Sequence, residues 1–94
     1  MTYAVFIEYG PDQRKIAEFR PAHREYLKSL LTENKLVISG PISDDSGGLL
    51  VYSADDESEV ERIIHADPFY KSGVFQTWKI RPWKIVMANR ELLS

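Results

Sequence analysis

The alternation of apolar and polar positions divides the chain into six main segments. Tyr3 to Glu8 (YAVFIE) is rich in β-branched and aromatic residues, which predicts a first strand, and Gly10-Pro11-Asp12 is a turn cluster that ends it. From Lys15 to Asn34 the period changes. Ile16, Phe19, His23, Leu27, Leu30 and Leu31 recur at steps of three and four, the spacing of one helical face. Pro21 lies inside this run. Proline has no N–H to donate and disfavours helix in the residue before it, so a break is expected near Arg20-Pro21, with the main helix running from about Pro21 to Asn34.

Leu36 to Ser39 predicts a second strand stopped by Gly40-Pro41. Leu49 to Tyr52 predicts a third, and the turn residues Asp44 to Gly48 between them suggest a hairpin. Val60, Ile63 and Ile64 mark a second amphipathic helix behind the capping residues Asp55 to Ser58. Asp67-Pro68 opens a turn or short helix, and Gly73 closes it. Val74 to Pro82 is the last main strand, with Trp78 and Ile80 on one face and Thr77, Lys79 and Arg81 on the other. Lys84 to Met87 reads as an added edge strand or as tail. The order is βαββαβ, an α+β fold of ferredoxin-like type, with two helices on one face of an antiparallel sheet. The 94 residues read as a single domain, with 88–94 as a C-terminal tail.

The first strand poses a problem for that layout. Tyr3, Val5 and Ile7 point one way, Ala4 and Phe6 the other, and both sets are apolar. The third strand has the same two-sided character. A sheet with one wet face alternates apolar with polar, so the face away from the helices needs a cover. A second copy of the same sheet is the simplest one, which predicts a homodimer through the sheet face.

Composition narrows the function classes. With 12 basic and 14 acidic residues, and no block of either, the chain has no strong field for nucleic acid or an anionic membrane. No apolar run approaches the roughly 20 residues that span a bilayer, and the N-terminus reads directly into a strand. The absence of cysteine excludes disulfides and thiolate metal sites and fits the cytoplasm. A domain this small gains from oligomerisation, the one common aid left to it.

Two residues carry the candidate chemistry. His23 sits on the apolar face of the first helix, where a histidine is either a core residue hydrogen-bonded to backbone or an acid–base group active near neutral pH. Asp67 precedes Pro68, where an aspartate caps the turn that follows, or reaches His23 and orients its ring. Arg20 is suited to a carboxylate or phenolate, or to a surface ion pair. Ser39 is a hydrogen-bond donor at the end of the second strand, and Gly40 permits close approach there, unless both only stop the strand. His65, with His23 and Asp67, would make a three-ligand metal site, but an exposed helix-end histidine is the simpler reading, and no metal or other cofactor is expected. Phe69, Tyr70, Trp78 and Trp83 would line an aromatic pocket or fill core and interface.

Arg20-Pro21-Ala22-His23, Ser39-Gly40-Pro41, Ala66-Asp67-Pro68-Phe69 and Gly73-Val74 occur in this order, and together they resemble the YciI-like (YCII-related) family over nearly the whole chain. The loop Ile42 to Gly48 is short for that family. The resemblance implies a dimeric α+β barrel, two ferredoxin-like sheets packed face to face. It also implies an active site around the histidine and aspartate, here His23 and Asp67. One family relative is a dehydrochlorinase of chlorinated hydroxyquinols, and the wider superfamily includes muconolactone isomerases and small monooxygenases. The expected function is therefore a small cofactor-free enzyme of isomerase or lyase type, moving a proton on a small anionic, enolic or aromatic metabolite. The alternatives are a dimeric module that binds a small ligand without chemistry, and a His–Asp contact that only stabilises the fold.

Overall fold

The structure is a computed structural model that describes residues 1–93. Strand β1 (Thr2–Tyr9) leads to helix α1 (Gln13–Thr32). Strands β2 (Leu36–Pro41) and β3 (Gly47–Ser53) follow, then helices α2 (Glu57–His65) and α3 (Pro68–Lys71) and strand β4 (Phe75–Pro82). The strands form one antiparallel sheet in the order β2-β3-β1-β4. The fold is the α+β, βαββαβ arrangement that the pattern predicts, with α3 as an added turn of helix.

The expected break in the first helix is absent. Helix α1 runs unbroken through Pro21. Proline at this position costs the bond from its own nitrogen to the Ala17 carbonyl. Pro21 and Ala17 are both exposed, so water can satisfy that carbonyl, while Ile16, His23 and Leu30 on the opposite side are buried and hold the helix to the sheet. The helix also starts earlier than the apolar spacing suggests. Asp12 is its N-cap, and one carboxylate oxygen accepts from the N–H groups of Arg14 and Lys15, both at 3.1 Å. Leu31, expected on the buried face, is 50% exposed because it lies at the margin of the stripe.

The core lies between sheet and helices. Tyr3, Val5 and Ile7 of β1 pack with Leu50 and Tyr52 of β3 against Ile16, Leu30, Val60, Ile63, Ile64 and Phe69. Each edge strand carries one extra residue. Leu36 pairs with Tyr52 but Ser39 pairs with Leu50, so Val37 is a bulge in β2. Phe75 pairs with Tyr9 but Thr77 pairs with Glu8, so Gln76 is a bulge in β4. The bulges reset the alternation: Ser39 joins Leu36 on the helix side of the sheet, and Phe75 joins Trp78.

The other face of the sheet has no helix. Phe6 stands there between Leu49 and Lys79, and Ile38 pairs with Val51. Phe6 is 61% exposed and Ile38 41%, although Val51 beside them is buried. After β4 the N–H of Trp83 donates to the Thr2 carbonyl at 2.8 Å, and the chain continues without forming a strand to a single 3-10 turn at Arg90–Leu93. The tail reading of Lys84 to Met87 therefore holds. Ser94, the last residue of the tail, lies outside the described residues.

Candidate active site

His23 and Asp67 meet in the core. Nδ1 of His23 lies 2.8 Å from one carboxylate oxygen of Asp67 and 2.9 Å from the other. Both residues are buried, Asp67 completely. His23 comes from the middle of α1, three turns in from its start. Asp67 comes from the junction of α2 and α3, where it caps α3 by accepting the Phe69 N–H at 2.8 Å. The capping role and the contact with histidine are thus held by one carboxylate. His23 is the only basic side chain paired with Asp67 among the described residues.

The electrostatic surroundings are phenolic. Burial pushes the hydroxyls of Tyr26, Tyr52 and Tyr9 above the usual tyrosine range, and the negative charge of Asp67 adds to the shift at each. Tyr26 is pushed up to about 12 and donates to the Ile63 carbonyl at 2.7 Å, tying α1 to α2. Tyr52 is fully buried, and its hydroxyl has no hydrogen-bond partner among the described residues.

A pocket of about 250 Å³ opens between α1 and the β2–β3 side of the sheet. It is lined by the predicted Arg20, His23, Ser39 and Gly40, together with Tyr9, Arg24, Lys28 and apolar side chains. Asp67 does not reach it and lies behind His23. With Nδ1 engaged by Asp67, Nε2 is the ring nitrogen left for a ligand. Such a volume suits a single substituted ring.

Arg20 is not free. Its guanidinium is 2.5 Å from Asp45, whose backbone is left-handed at φ 64°, so the short β2–β3 loop is fastened to α1 at the pocket rim. Both partners are partly exposed, and such a pair adds only about 0–1 kcal/mol to stability. Its effect is to hold the rim and orient one cation.

The aromatic residues are distributed differently from the expectation of a shared pocket lining. Phe69 is core, stacked on His23 with ring centroids 4.0 Å apart and edge-on to Tyr9 at 5.4 Å. Tyr70 and Trp78 cluster with His65 and join the Phe69 group only through Phe75, 6.5 Å from Trp78, and Trp83 is half exposed. His65 pairs with Glu61 at 3.3 Å and lies away from the pocket, so it does not join His23 and Asp67. No group of three His, Cys, Asp or Glu side chains among the described residues could hold a metal ion. Tyr9, Arg24 and Lys28 are pocket residues that the sequence reading missed. The steps of four from Arg20 to Arg24 to Lys28 were the available signal.

The family model of the YCII-related domain matches residues 1–84. The chain belongs to the YCII family. This YCII-related domain is 41% identical over 63 residues to the uncharacterised protein YjpA of Bacillus subtilis (strain 168), a match covering 67% of this chain and 73% of YjpA. Among solved structures it is similar to the 5-chloro-2-hydroxyhydroquinone dehydrochlorinase TftG from Burkholderia phenoliruptrix AC1100, in complex with 2,5-dihydroxybenzoquinone. The TM-score is 0.79 at 26% identity, covering 89% of this chain and 94% of TftG. The YCII domain described here has no helix among the described residues long and apolar enough to cross a membrane.

Proposed function

We propose that this protein is a small cofactor-free enzyme of lyase or isomerase type, with His23 as its acid–base group and Asp67 as the residue that orients it. The observation that carries this reading is the buried contact between Nδ1 of His23 and the Asp67 carboxylate, with His23 lining a ring-sized pocket. Asp67 holds the proton of the neutral imidazole on Nδ1 and stabilises the imidazolium when it forms. Nε2 then takes a proton from the substrate. In an elimination the electron pair released on that side becomes a new double bond, and a halide leaves from the neighbouring carbon. In an isomerisation the proton returns at another carbon.

Arg20 and Ser39 face the substrate oxygen on which charge develops, and Gly40 lets the ligand approach the backbone of β2. Tyr9, whose hydroxyl burial pushes above the usual tyrosine range, is a further donor in the same pocket. The ligand is a small aromatic or enolic anion, as the bound quinone of TftG suggests. We place the protein in the cytoplasm and as a homodimer through the apolar sheet face that carries Phe6, Leu49 and Ile38. The whole of 1–94 acts as one domain, with 88–94 as its tail.

The test is chloride release from 5-chloro-2-hydroxyhydroquinone, and binding of 2,5-dihydroxybenzoquinone by calorimetry, with wild type and His23→Gln. Chloride release that disappears in the variant supports the lyase reading. Binding without turnover moves the protein to the ligand-binding class. Turnover unchanged by His23→Gln would overturn the mechanism.

A further inference from the structure

The pocket is more positively charged than the chain that forms it. The protein has a formal net charge of -2, yet the pocket lining holds Arg20, Arg24 and Lys28 and no Asp or Glu. One nitrogen of Arg20 is already held by Asp45, which leaves its other N–H groups for the oxygen beside His23. Arg24 and Lys28 have no carboxylate within ion-pair distance among the described residues, and Glu25, on the same stretch of helix, pairs with neither. Other surface cations of this chain are also unpaired. These two differ in sharing a concave wall with His23.

Their placement on α1 is specific. Arg24 and Lys28 are one turn apart, so their side chains leave the helix in the same direction and can close on one group. Lys28 lies five residues beyond His23, about 7.5 Å along the helix axis. A single substituted ring spans that separation with its reacting edge at His23. The apolar wall between, formed by Leu27, Leu31 and Leu36, suits the body of such a ring and not a second charge. Arg24 lines the same pocket as Tyr9 while its outer part stays exposed.

We propose that Arg24 and Lys28 form an oxyanion subsite at the mouth of the pocket, so that the natural ligand carries a carboxylate or phosphate separate from the oxygen held beside His23. This rests on the reading that the pocket binds a small ring at His23. It goes beyond that reading by requiring a second acidic group, one that 2,5-dihydroxybenzoquinone lacks. The guanidinium fork and the ammonium would bind the oxyanion together, and they would select against uncharged rings of the same size.

The experiment is calorimetric titration of the full chain with two pairs of probes: hydroquinone against gentisate, and hydroquinone against 4-hydroxyphenyl phosphate. The wild type binds at least one acid about tenfold or more tightly than its uncharged parent, and this advantage shrinks as salt rises from about 0.05 to about 0.5 M. Gentisate or 4-hydroxyphenyl phosphate as the favoured acid distinguishes carboxylate from phosphate. Arg24→Gln/Lys28→Gln, both at exposed positions, abolishes the advantage and keeps the affinity for hydroquinone. Equal binding of acids and parents by the wild type, or an advantage that survives in the double variant, would overturn the subsite. If hydroquinone fails to bind while gentisate still binds through Arg24 and Lys28, the subsite stands and the reading of the reacting centre falls.

Discussion

The imidazole of His23 lies flat on the ring of Phe69, with centroids 4.0 Å apart and planes 9° from parallel. The backbone N–H of the same Phe69 donates to the carboxylate that holds His23 Nδ1. One residue therefore fixes the plane of the base with its side chain and the position of the orienting acid with its main chain. The turn Asp67-Pro68-Phe69 acts as one unit, which gives the His–Asp geometry its rigidity.

Asp67→Asn separates orientation from folding. Asparagine caps a helix as well as aspartate does, so α3 and the fold persist. The amide does not hold the Nδ1 proton as a carboxylate does, so turnover in the chloride-release assay falls by about 10²–10⁴-fold. In the wild type, heteronuclear NMR of the imidazole finds neutral His23 protonated on Nδ1, and this preference disappears in the variant. Asp67→Ala also removes the cap and leaves His23 without its partner, at a cost of about 3–5 kcal/mol in urea unfolding.

Tyr26 makes stability depend on alkaline pH. Its folded value of about 12 lies above the ordinary tyrosine value near 10, first through burial and then through the charge of Asp67. The folded state therefore binds its proton more tightly than the unfolded state. The stabilisation is complete below about pH 10 and is lost as pH rises toward about 12. Tyr26→Phe removes the bond to Ile63, costs about 1 kcal/mol at neutral pH, and flattens the decline of melting temperature above pH 10.

Tyr52→Phe has the opposite sign at neutral pH. The variant removes a buried hydroxyl that has no partner among the described residues and retains the ring. Relieving that desolvation stabilises the protein by up to about 1 kcal/mol, measured as an increase in urea midpoint at unchanged slope.

Two glycines separate structure from binding. A Cβ at Gly47 would sit 2.0 Å from the Ile7 carbonyl oxygen, a collision between main chains of β3 and β1 that no side-chain rotation relieves. Gly47→Ala costs at least about 1–3 kcal/mol. A Cβ at Gly40 would meet nothing within 4 Å. Gly40→Ala therefore changes stability by less than about 0.5 kcal/mol. Any loss of quinone affinity in that variant reports a ligand approaching the β2 backbone, and unchanged affinity removes Gly40 from the site.

The proposed dimer predicts that Phe6→Lys yields a monomer in sedimentation experiments. Phe6 contributes nothing to the monomer's core from its exposed position, so the fold survives while the apolar face gains a charge. Phe6→Leu, which stays apolar, remains dimeric.

Much of this was legible in the sequence, because long-period patterns report burial directly. The strands, the helical stripe through Ile16, His23 and Leu30, and the joint appearance of His23 and Asp67 follow from periodicity and from motif resemblance. The misses have local causes. Pro21 forbids one hydrogen bond, and the sequence does not show that the affected carbonyl faces water. Strict alternation from Leu36 puts Ser39 on the opposite side of the sheet, and only the extra residue Val37 returns it to the pocket. Arg24 and Lys28 look like ordinary solvated positions until the pocket beside them is seen. The Arg20–Asp45 pair spans 25 positions, beyond any spacing rule.

The two bulges have a further effect, on how copies of the chain can meet. A regular free strand edge invites another strand to add, and that growth has no natural end. Here β2 has Val37 out of register near one end and Pro41 at the other, and β4 has Gln76 and Pro82 in the same relation. Neither rim of the sheet offers a full run of evenly spaced donors and acceptors. Strand addition is impeded at both sides, which leaves the broad face as the surface for the proposed homodimer, an association that ends at two copies.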